Sequence, residues 1–265
     1  MPELPEVETI RRRLASAVTG RRIVGGEAHS SAKFAPATAA IGAAISTVDR
    51  RGKYLLLALD DGRDLVVHLG MTGSLALDDS SDPYVRARWQ LDDGTTLRYR
   101  DIRRFGRIAV VPRGDYASMP TLAAQGPDPF DEAFTPDSLW RATRRSTARI
   151  KTQLLSQRPV AGVGNIYADE ALWRAGTDPA RRSITRAQAE RLHGAIREVL
   201  AQGIANGGTT LRDYRTFDGT TGTNQHALDC YGRHGEPCNR CGTTLVRRVI
   251  DARSTTHCPS CQPRR

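Results

Sequence analysis

Residues 53–68 read KYLLLALDDGRDLVVH. Two apolar runs, Lys53–Leu59 and Leu65–His68, flank the turn residues Asp60-Asp61-Gly62. A tight turn between two β-prone runs predicts an antiparallel hairpin. The scheme recurs at once: Arg86–Leu91, Asp92-Asp93-Gly94 and Thr95–Tyr99 form a second pair, and Ile108–Val111 adds a strand. Several short strands between about residues 45 and 111 predict a β-sandwich or barrel.

Upstream, the chain opens MPELPEVETIRRRLA. Leu4, Val7, Ile10, Leu14 and Val18 recur at spacings of three and four, one face of a helix ending near Gly20. Pro5 suits its first turn, and Glu6 and Glu8 suit its positive end. Capping accounts for those three residues and leaves Pro2 unexplained.

Downstream, Pro112, Pro120, Pro127, Pro129 and Pro136 mark residues 112–136 as a linker. Beyond it, Pro136–Gln157, Asn165–Gly176 and Ile184–Ala205 are predicted helices. Leu192, Ile196, Val199 and Leu200 form the apolar face of the last, and Asn206-Gly207-Gly208 stops it. Residues 209–229 read as a loop. The class is α+β.

Formal net charge is +10 and the pI is near 9.9, a balance that suits a polyanionic partner. Only three of the 39 basic residues are lysines, Lys33, Lys53 and Lys151. Each marks a position where a compact or deprotonatable amine has a use that Arg lacks. No stretch approaches the roughly 18 apolar residues of a membrane-spanning helix. No basic-then-apolar leader is present. These features predict a cytoplasmic, nucleoid-associated monomer with no membrane partner.

The last block reads CYGRHGEPCNRCGTTLVRRVIDARSTTHCPSCQ at 230–262. Cys238-x-x-Cys241 and Cys258-x-x-Cys261 offer four thiolates for one tetrahedral zinc; two disulfides are the alternative. Four thiolates leave no open coordination position, so such a zinc is structural. Thr244–Ile250 is predicted to form a short hairpin, with Arg247, Arg248 and Arg253 available to phosphates, and Cys230 is a packing residue. Gly162-Val163-Gly164-Asn165 reads either as a tight interhelical turn or as a backbone anion nest at a helix start.

Taken together, these blocks resemble the formamidopyrimidine-DNA glycosylase family. The resemblance rests on PELPEVET at 2–9, RGKYLLL at 51–57, HLGMTGSL at 68–75 and DIRRFGRI at 101–108. It continues through IKTQLL at 150–155, AGVGNIYADEAL at 161–172, GGTTLRDY at 207–214 and the cysteine finger. It implies a catalytic β-sandwich domain at 1–130, a helix–two-turn–helix DNA-binding domain at 131–225 and a four-cysteine zinc finger at 226–265. The implied partner is double-stranded DNA carrying an oxidised base or abasic site, bound between the two halves.

The resemblance also answers the question of Pro2. With Met1 removed, its secondary amine is the implied nucleophile at C1′ of a damaged nucleotide, forming a Schiff base that undergoes β,δ-elimination. Glu3 is the implied acid/base group, Glu6 its support, and Lys53 a proton donor or phosphate clamp. Met71, Arg103 and Phe105 match the wedge that fills the gap left by an everted base. His68, Lys151, Asn165, Arg212 and Arg253 match DNA contacts, and Arg253 is also counted with the catalytic set.

The sequence departs from the family pattern at Thr223-Asn224 in the loop around Gly222–Gln225, at Ser156, at Asp82–Val85 and at Ile102. The first departure bears on base preference. The implied activity is a bifunctional glycosylase and abasic-site lyase for oxidised purines, notably 8-oxoguanine and formamidopyrimidines. The alternatives are an endonuclease VIII-like enzyme for oxidised pyrimidines and a non-catalytic zinc-dependent DNA binder.

Overall fold

The structure, a computed structural model, describes residues 2–212 and 214–264. Met1, whose removal the Pro2 chemistry requires, and Asp213 of the GGTTLRDY block lie outside the described residues. The chain packs as two units. One holds residues up to Ala123 together with Asn206–Gln225; the other holds Ala124–Ala205 and His226 onward.

The first unit begins with α1 (Leu4–Val18), whose Leu4, Val7, Ile10, Leu14 and Val18 are all buried as their spacing predicts. Eight strands follow: β1 (Ile23–Ala28), β2 (Ile45–Arg51), β3 (Tyr54–Leu59), β4 (Arg63–His68), β5 (Ser74–Leu77), β6 (Val85–Leu91), β7 (Thr96–Arg100) and β8 (Arg107–Pro112). They form two four-stranded antiparallel sheets, β1-β6-β7-β5 and β2-β3-β4-β8. Leu55, Leu57, Leu65 and Val67 of one sheet meet Trp89, Leu97 and Tyr99 of the other in a core that α1 closes with Val7, Ile10 and Leu14. This is the predicted sandwich.

The opening hairpin is β3–β4, with Tyr54 opposite His68. Its strands are apolar without alternation because both faces are covered. Tyr54, Val66 and Val111 pack on the outer face against Met119 and Leu122, the latter in the short helix α2 (Pro120–Ala123). Three strands were not singled out in the sequence: β1, β2 and β5. In β1, a Cβ on Gly26 would collide with the Arg88 carbonyl of the paired strand. The glycines permit close pairing there.

The second unit holds α3 (Pro136–Thr143), α4 (Ile150–Leu155), α5 (Asn165–Arg174), α6 (Arg186–Ala205) and the hairpin β9 (Val246–Ile250) with β10 (Arg253–His257). The single helix predicted over 136–157 is two. The Thr143 hydroxyl donates to the Trp140 carbonyl, and the Ala148 N–H donates to Ser146 Oγ. Short hydroxylated side chains thus offer the backbone partners that compete with helix continuation. α6 starts two residues later than predicted, behind a reciprocal Thr185–Gln188 cap. The finger hairpin runs over 246–257 rather than 244–250. Its turn residues Asp251 and Ala252 take φ of 46° and 64°, a two-residue turn without the usual glycine.

Candidate functional site

The N-terminal residues singled out in the sequence lie in the first unit. Pro2 is buried, and Glu3 and Glu6 are 2% and 1% exposed. Glu6 sits three residues after Glu3, one helical turn on, and its Oε2 accepts the Glu3 backbone N–H at 2.7 Å. Its Oε1 accepts the N–H of Thr209, also at 2.7 Å. The Gly207–Thr210 segment therefore rests on the start of α1. Gly208, at φ +87°, has no room for a side chain: a Cβ would lie 2.9 Å from Glu6 Cγ. The Tyr214 hydroxyl donates to the Gly207 carbonyl at 3.1 Å. Behind this segment, Asn224 Nδ2 donates to Thr209 Oγ1 at 2.8 Å, and the Thr210 N–H donates to Gln225 Oε1 at 3.0 Å. Here the Gly222–Gln225 block, where the sequence departs from the family, is a staple on the GGTT segment.

Lys53 is 7% exposed in the two-residue turn between β2 and β3. His68 ends β4, and its ring lies 4.6 Å from that of Tyr54. Burial and the nearby Lys53 charge lower its pKa to about 4, against a smaller opposing pull from Asp101. His68 is therefore a neutral imidazole near pH 7, a hydrogen-bonding group rather than a cation.

The residues expected to form a wedge lie on two adjoining loops. The Asp101 carboxylate is fully buried. It accepts the Thr72 hydroxyl at 2.6 Å and the Gly106 N–H at 2.8 Å, and Thr72 Oγ1 in turn accepts the Arg103 N–H at 3.1 Å. The 69–73 and 101–106 loops are thereby fixed to each other. They present half-buried Met71, exposed Arg103 and 50%-exposed Phe105, with the Arg103 guanidinium 4.8 Å over the Phe105 ring. A large aromatic held out to solvent on a braced loop is unusual for a core residue and suits insertion into a stack. Beside these loops lies a groove of about 870 Å³ lined by Arg13, Thr72, Arg98, Arg100, Arg212 and Arg215, among others. Asp78 pairs with Arg98 and Asp82 with Arg100, whereas Arg212 is exposed.

In the second unit the predicted DNA contacts separate. Arg253 is exposed at the start of β10. Asn165 opens α5, and its Nδ2 donates to the Ser254 carbonyl at 3.2 Å. Lys151 is fully buried. Its ammonium is 2.7 Å from Asp169 and donates to the Ser254 carbonyl and Thr255 Oγ1, each at 2.9 Å. It braces the finger hairpin from inside and offers no surface to a phosphate. Arg248 is likewise turned inward, onto Asp178, while Arg247 stays exposed and donates to Ser254 Oγ. At Gly162–Asn165 the Gly162 N–H is taken by Gln157 Oε1 at 2.7 Å, which makes that stretch a braced interhelical turn.

The finger's four thiolates converge. All Sγ atoms of Cys238, Cys241, Cys258 and Cys261 lie within 4.8 Å of one another, with Cys238–Cys261 at 4.0 Å and Cys241–Cys258 at 3.5 Å. A Zn–S distance of about 2.3 Å sets a tetrahedral edge of about 3.8 Å, whereas a disulfide needs about 2.05 Å. The donor set fits one zinc and not two disulfides. Cys230 packs with Trp173, Cys238, Leu245 and Cys258, its thiol donating to the Thr256 carbonyl at 3.2 Å.

A family model described as the formamidopyrimidine-DNA glycosylase N-terminal domain matches residues 1–108. The corresponding H2TH domain matches 125–215, and a zinc finger found in FPG and IleRS matches 235–264. The chain belongs to the formamidopyrimidine-DNA glycosylase family. Among its relatives, the formamidopyrimidine-DNA glycosylase of Thermus thermophilus is 48% identical over 99% of this chain and 98% of that protein. The Deinococcus radiodurans enzyme is 44% identical over 100% and 98%. The crystal structure of the MutM (Fpg) protein from Thermus thermophilus matches with a TM-score of 0.92, covering 98% of each chain. A Lactococcus lactis Fpg variant bound to DNA containing Fapy-dG matches at 0.90 with 34% identity, over 99% of this chain and 100% of that one. A MutM complex with DNA containing carbocyclic 8-oxo-G matches at 0.89 with 34% identity, over the same shares.

Three functional arrangements escaped the sequence reading. Glu8 gathers Arg11, Arg12 and Arg50, where the sequence suggested only a helix-end charge. Asp169 and Glu170, side by side in α5, are both buried and hold finger backbone: Thr256 N–H on Asp169, and the N–H groups of Asp229, Cys230 and Tyr231 on Glu170. The Trp173 indole N–H points at Cys238 Sγ, 3.3 Å away. Adjacent acids amid the apolar run Ile166–Trp173 are the signal that was there to read.

Proposed function

We propose that this protein is a bifunctional DNA glycosylase and abasic-site lyase for oxidised purines. The observation that carries the reading is the start of α1, where Glu3 and Glu6 are buried beside Pro2 and Glu6 fixes both the Glu3 backbone and the GGTT segment. A nucleophile needs such fixed placement, because orientation supplies much of the rate.

In this reading the Pro2 nitrogen, freed of Met1, attacks C1′ of the damaged nucleotide. The glycosidic bond breaks, its electron pair leaves with the base, and the base takes up the proton lost from the Pro2 nitrogen. Glu3 delivers a proton to the sugar ring oxygen as the ring opens, leaving an iminium on Pro2. β-Elimination and then δ-elimination release the flanking phosphates and leave a one-nucleotide gap. Lys53 contributes its ammonium beside the reacting sugar. Met71, Arg103 and Phe105 fill the vacated stack, and His68, Asn165, Arg212 and Arg253 contact the DNA, with Arg253 also near the reacting nucleotide. Lys151, on α4, supports the finger hairpin that carries Arg253. The thiolates of Cys238, Cys241, Cys258 and Cys261 hold one structural zinc, whose contribution is folding energy for the hairpin that carries Arg253. Oxidised purines are favoured over oxidised pyrimidines because solved relatives bind Fapy-dG and an 8-oxo-G analogue.

A duplex panel carrying 8-oxoguanine, Fapy-dG, an oxidised pyrimidine or an abasic site tests this. Cutting of the purine lesions with phosphate at both gap ends is expected. Preference for the pyrimidine lesion, or binding without cutting, would transfer the protein to one of the alternative readings.

A further inference from the structure

We propose that Glu8 and Arg50 are positioning residues that hold the Lys53 turn against the helix carrying Pro2, Glu3 and Glu6. The inference deepens the proposed function and rests on its assignment of Lys53.

Glu8 is 8% exposed on α1. Its Oε1 accepts from Arg11 Nη2 at 2.9 Å and Arg12 Nε at 2.8 Å. Its Oε2 accepts from Arg11 Nε at 3.0 Å and from Arg50 Nε at 3.1 Å. Arg11 and Arg12 lie on the same helix, but Arg50 does not. It is the penultimate residue of β2, 9% exposed, and its Nη1 donates onward to the Gly52 carbonyl at 3.3 Å. That carbonyl belongs to the peptide that enters Lys53. Gly52 takes φ +56°, the left-handed value that tight hairpin turns ask of a first residue. Arg11 Nη1 adds a second tie to β2 through the Val48 carbonyl at 3.3 Å. One carboxylate thus runs from α1 through a guanidinium to the backbone of the turn that aims Lys53.

Stability alone would not select this arrangement. Buried ion groups are commonly no more stabilising than apolar residues of equal volume. A fork with fixed geometry does what an apolar contact cannot: it sets the direction of the next residue.

His68 reports where the Lys53 ammonium is, because that charge helps to hold its imidazole neutral. The test is NMR titration of His68 in the full-length, zinc-loaded protein. In Glu8→Gln the direct loss of a negative charge lowers the His68 pKa, whereas release of Lys53 raises it, so the two effects have opposite signs. The proposal expects a rise of roughly half a unit or more. Arg50→Lys keeps the charge but cannot span carboxylate and carbonyl together; it should give the same rise and serves if Glu8→Gln does not fold. Lys53→Met should raise the value too, and adding Glu8→Gln to it should add no further rise. An unchanged or lowered His68 pKa in the folded Glu8 and Arg50 variants overturns the proposal. Borohydride trapping on 8-oxoguanine DNA, expected to slow about tenfold in the same variants, separates the two claims. If wild type never traps, the proposed function fails while the His68 shift still decides the positioning role.

Discussion

Glu8 and His68 should make the first unit sensitive to acid. Burial alone would raise the Glu8 pKa, but Arg11, Arg12 and Arg50 outweigh it and hold it at about 2 against an ordinary 4.5. A lowered carboxylate pKa adds stability above the ordinary value, which is lost as pH falls from about 5 toward 2. His68 must stay neutral in the fold, so its lowered pKa adds a second loss as pH falls from 6.5 toward 4. Denaturation followed from pH 7 to 3 should show stability falling throughout, and Glu8→Gln should flatten the lower part of the curve. A curve level down to pH 4 would contradict the His68 assignment, and a Glu8→Gln curve that falls as steeply as wild type below pH 4 would contradict the Glu8 assignment. Residue identity was legible where chemistry restricts the choice, as at the four cysteines. It was not legible for Lys151. A lone lysine in an arginine-rich chain signals a need for an amine, but burial against Asp169 and contact with a phosphate need the same amine.

α5 concentrates the second unit's organisation in one element. Asn165 holds the Ser254 carbonyl, Asp169 pairs with Lys151, Glu170 gathers three backbone N–H groups, and Trp173 faces Cys238. Arg240, inside the first Cys-x-x-Cys, lies 4.4 Å over the Trp173 ring and donates to the last carbonyls of the helix. The finger is thus fastened along the whole length of α5. Removing one partner of the buried pair, as in Lys151→Met, leaves Asp169 uncompensated and should cost about 3–5 kcal/mol in denaturant unfolding. A loss below about 1 kcal/mol would return Lys151 to a surface role. Trp173→Phe keeps the ring but removes the N–H donated to the thiolate. Zinc transfer to a chromophoric chelator should then quicken roughly fivefold, and an unchanged rate would show that the indole only packs. At this scale α1, α5, α6 and five strands of the sandwich were legible from periodicity and turn residues. The break at 144–149 was not, because it arises from local bonds between short side chains and backbone, nor was the Asp251-Ala252 turn, because Asp251 is held by Arg149 and Thr152, remote in sequence.

The whole molecule carries a formal charge of +10, and its exposed arginines lie on both units. Affinity for a lesion duplex should fall steeply with salt. Arg212→Ala and Arg253→Ala should each reduce the slope of log K against log salt by about 1, and Arg248→Ala should leave it unchanged because Asp178 already takes that charge. Equal slope changes for all three would mean that exposure does not select the phosphate contacts. The architecture was legible because its blocks occur in order along nearly the whole chain. The return of Asn206–Gln225 to the first unit was not, since a segment without periodicity gives no sign of what it packs against.

The central claim is a covalent one, that the Pro2 nitrogen takes the damaged sugar. The most direct test is borohydride trapping on a duplex with a single 8-oxoguanine, followed by mass spectrometry of the cross-linked peptide, with Pro2→Gly alongside. The expected result is an adduct on an N-terminal peptide that begins at Pro2 and lacks Met1, largely lost in the variant. An adduct at a lysine, or none from wild type whose Met1 is confirmed absent, would contradict it.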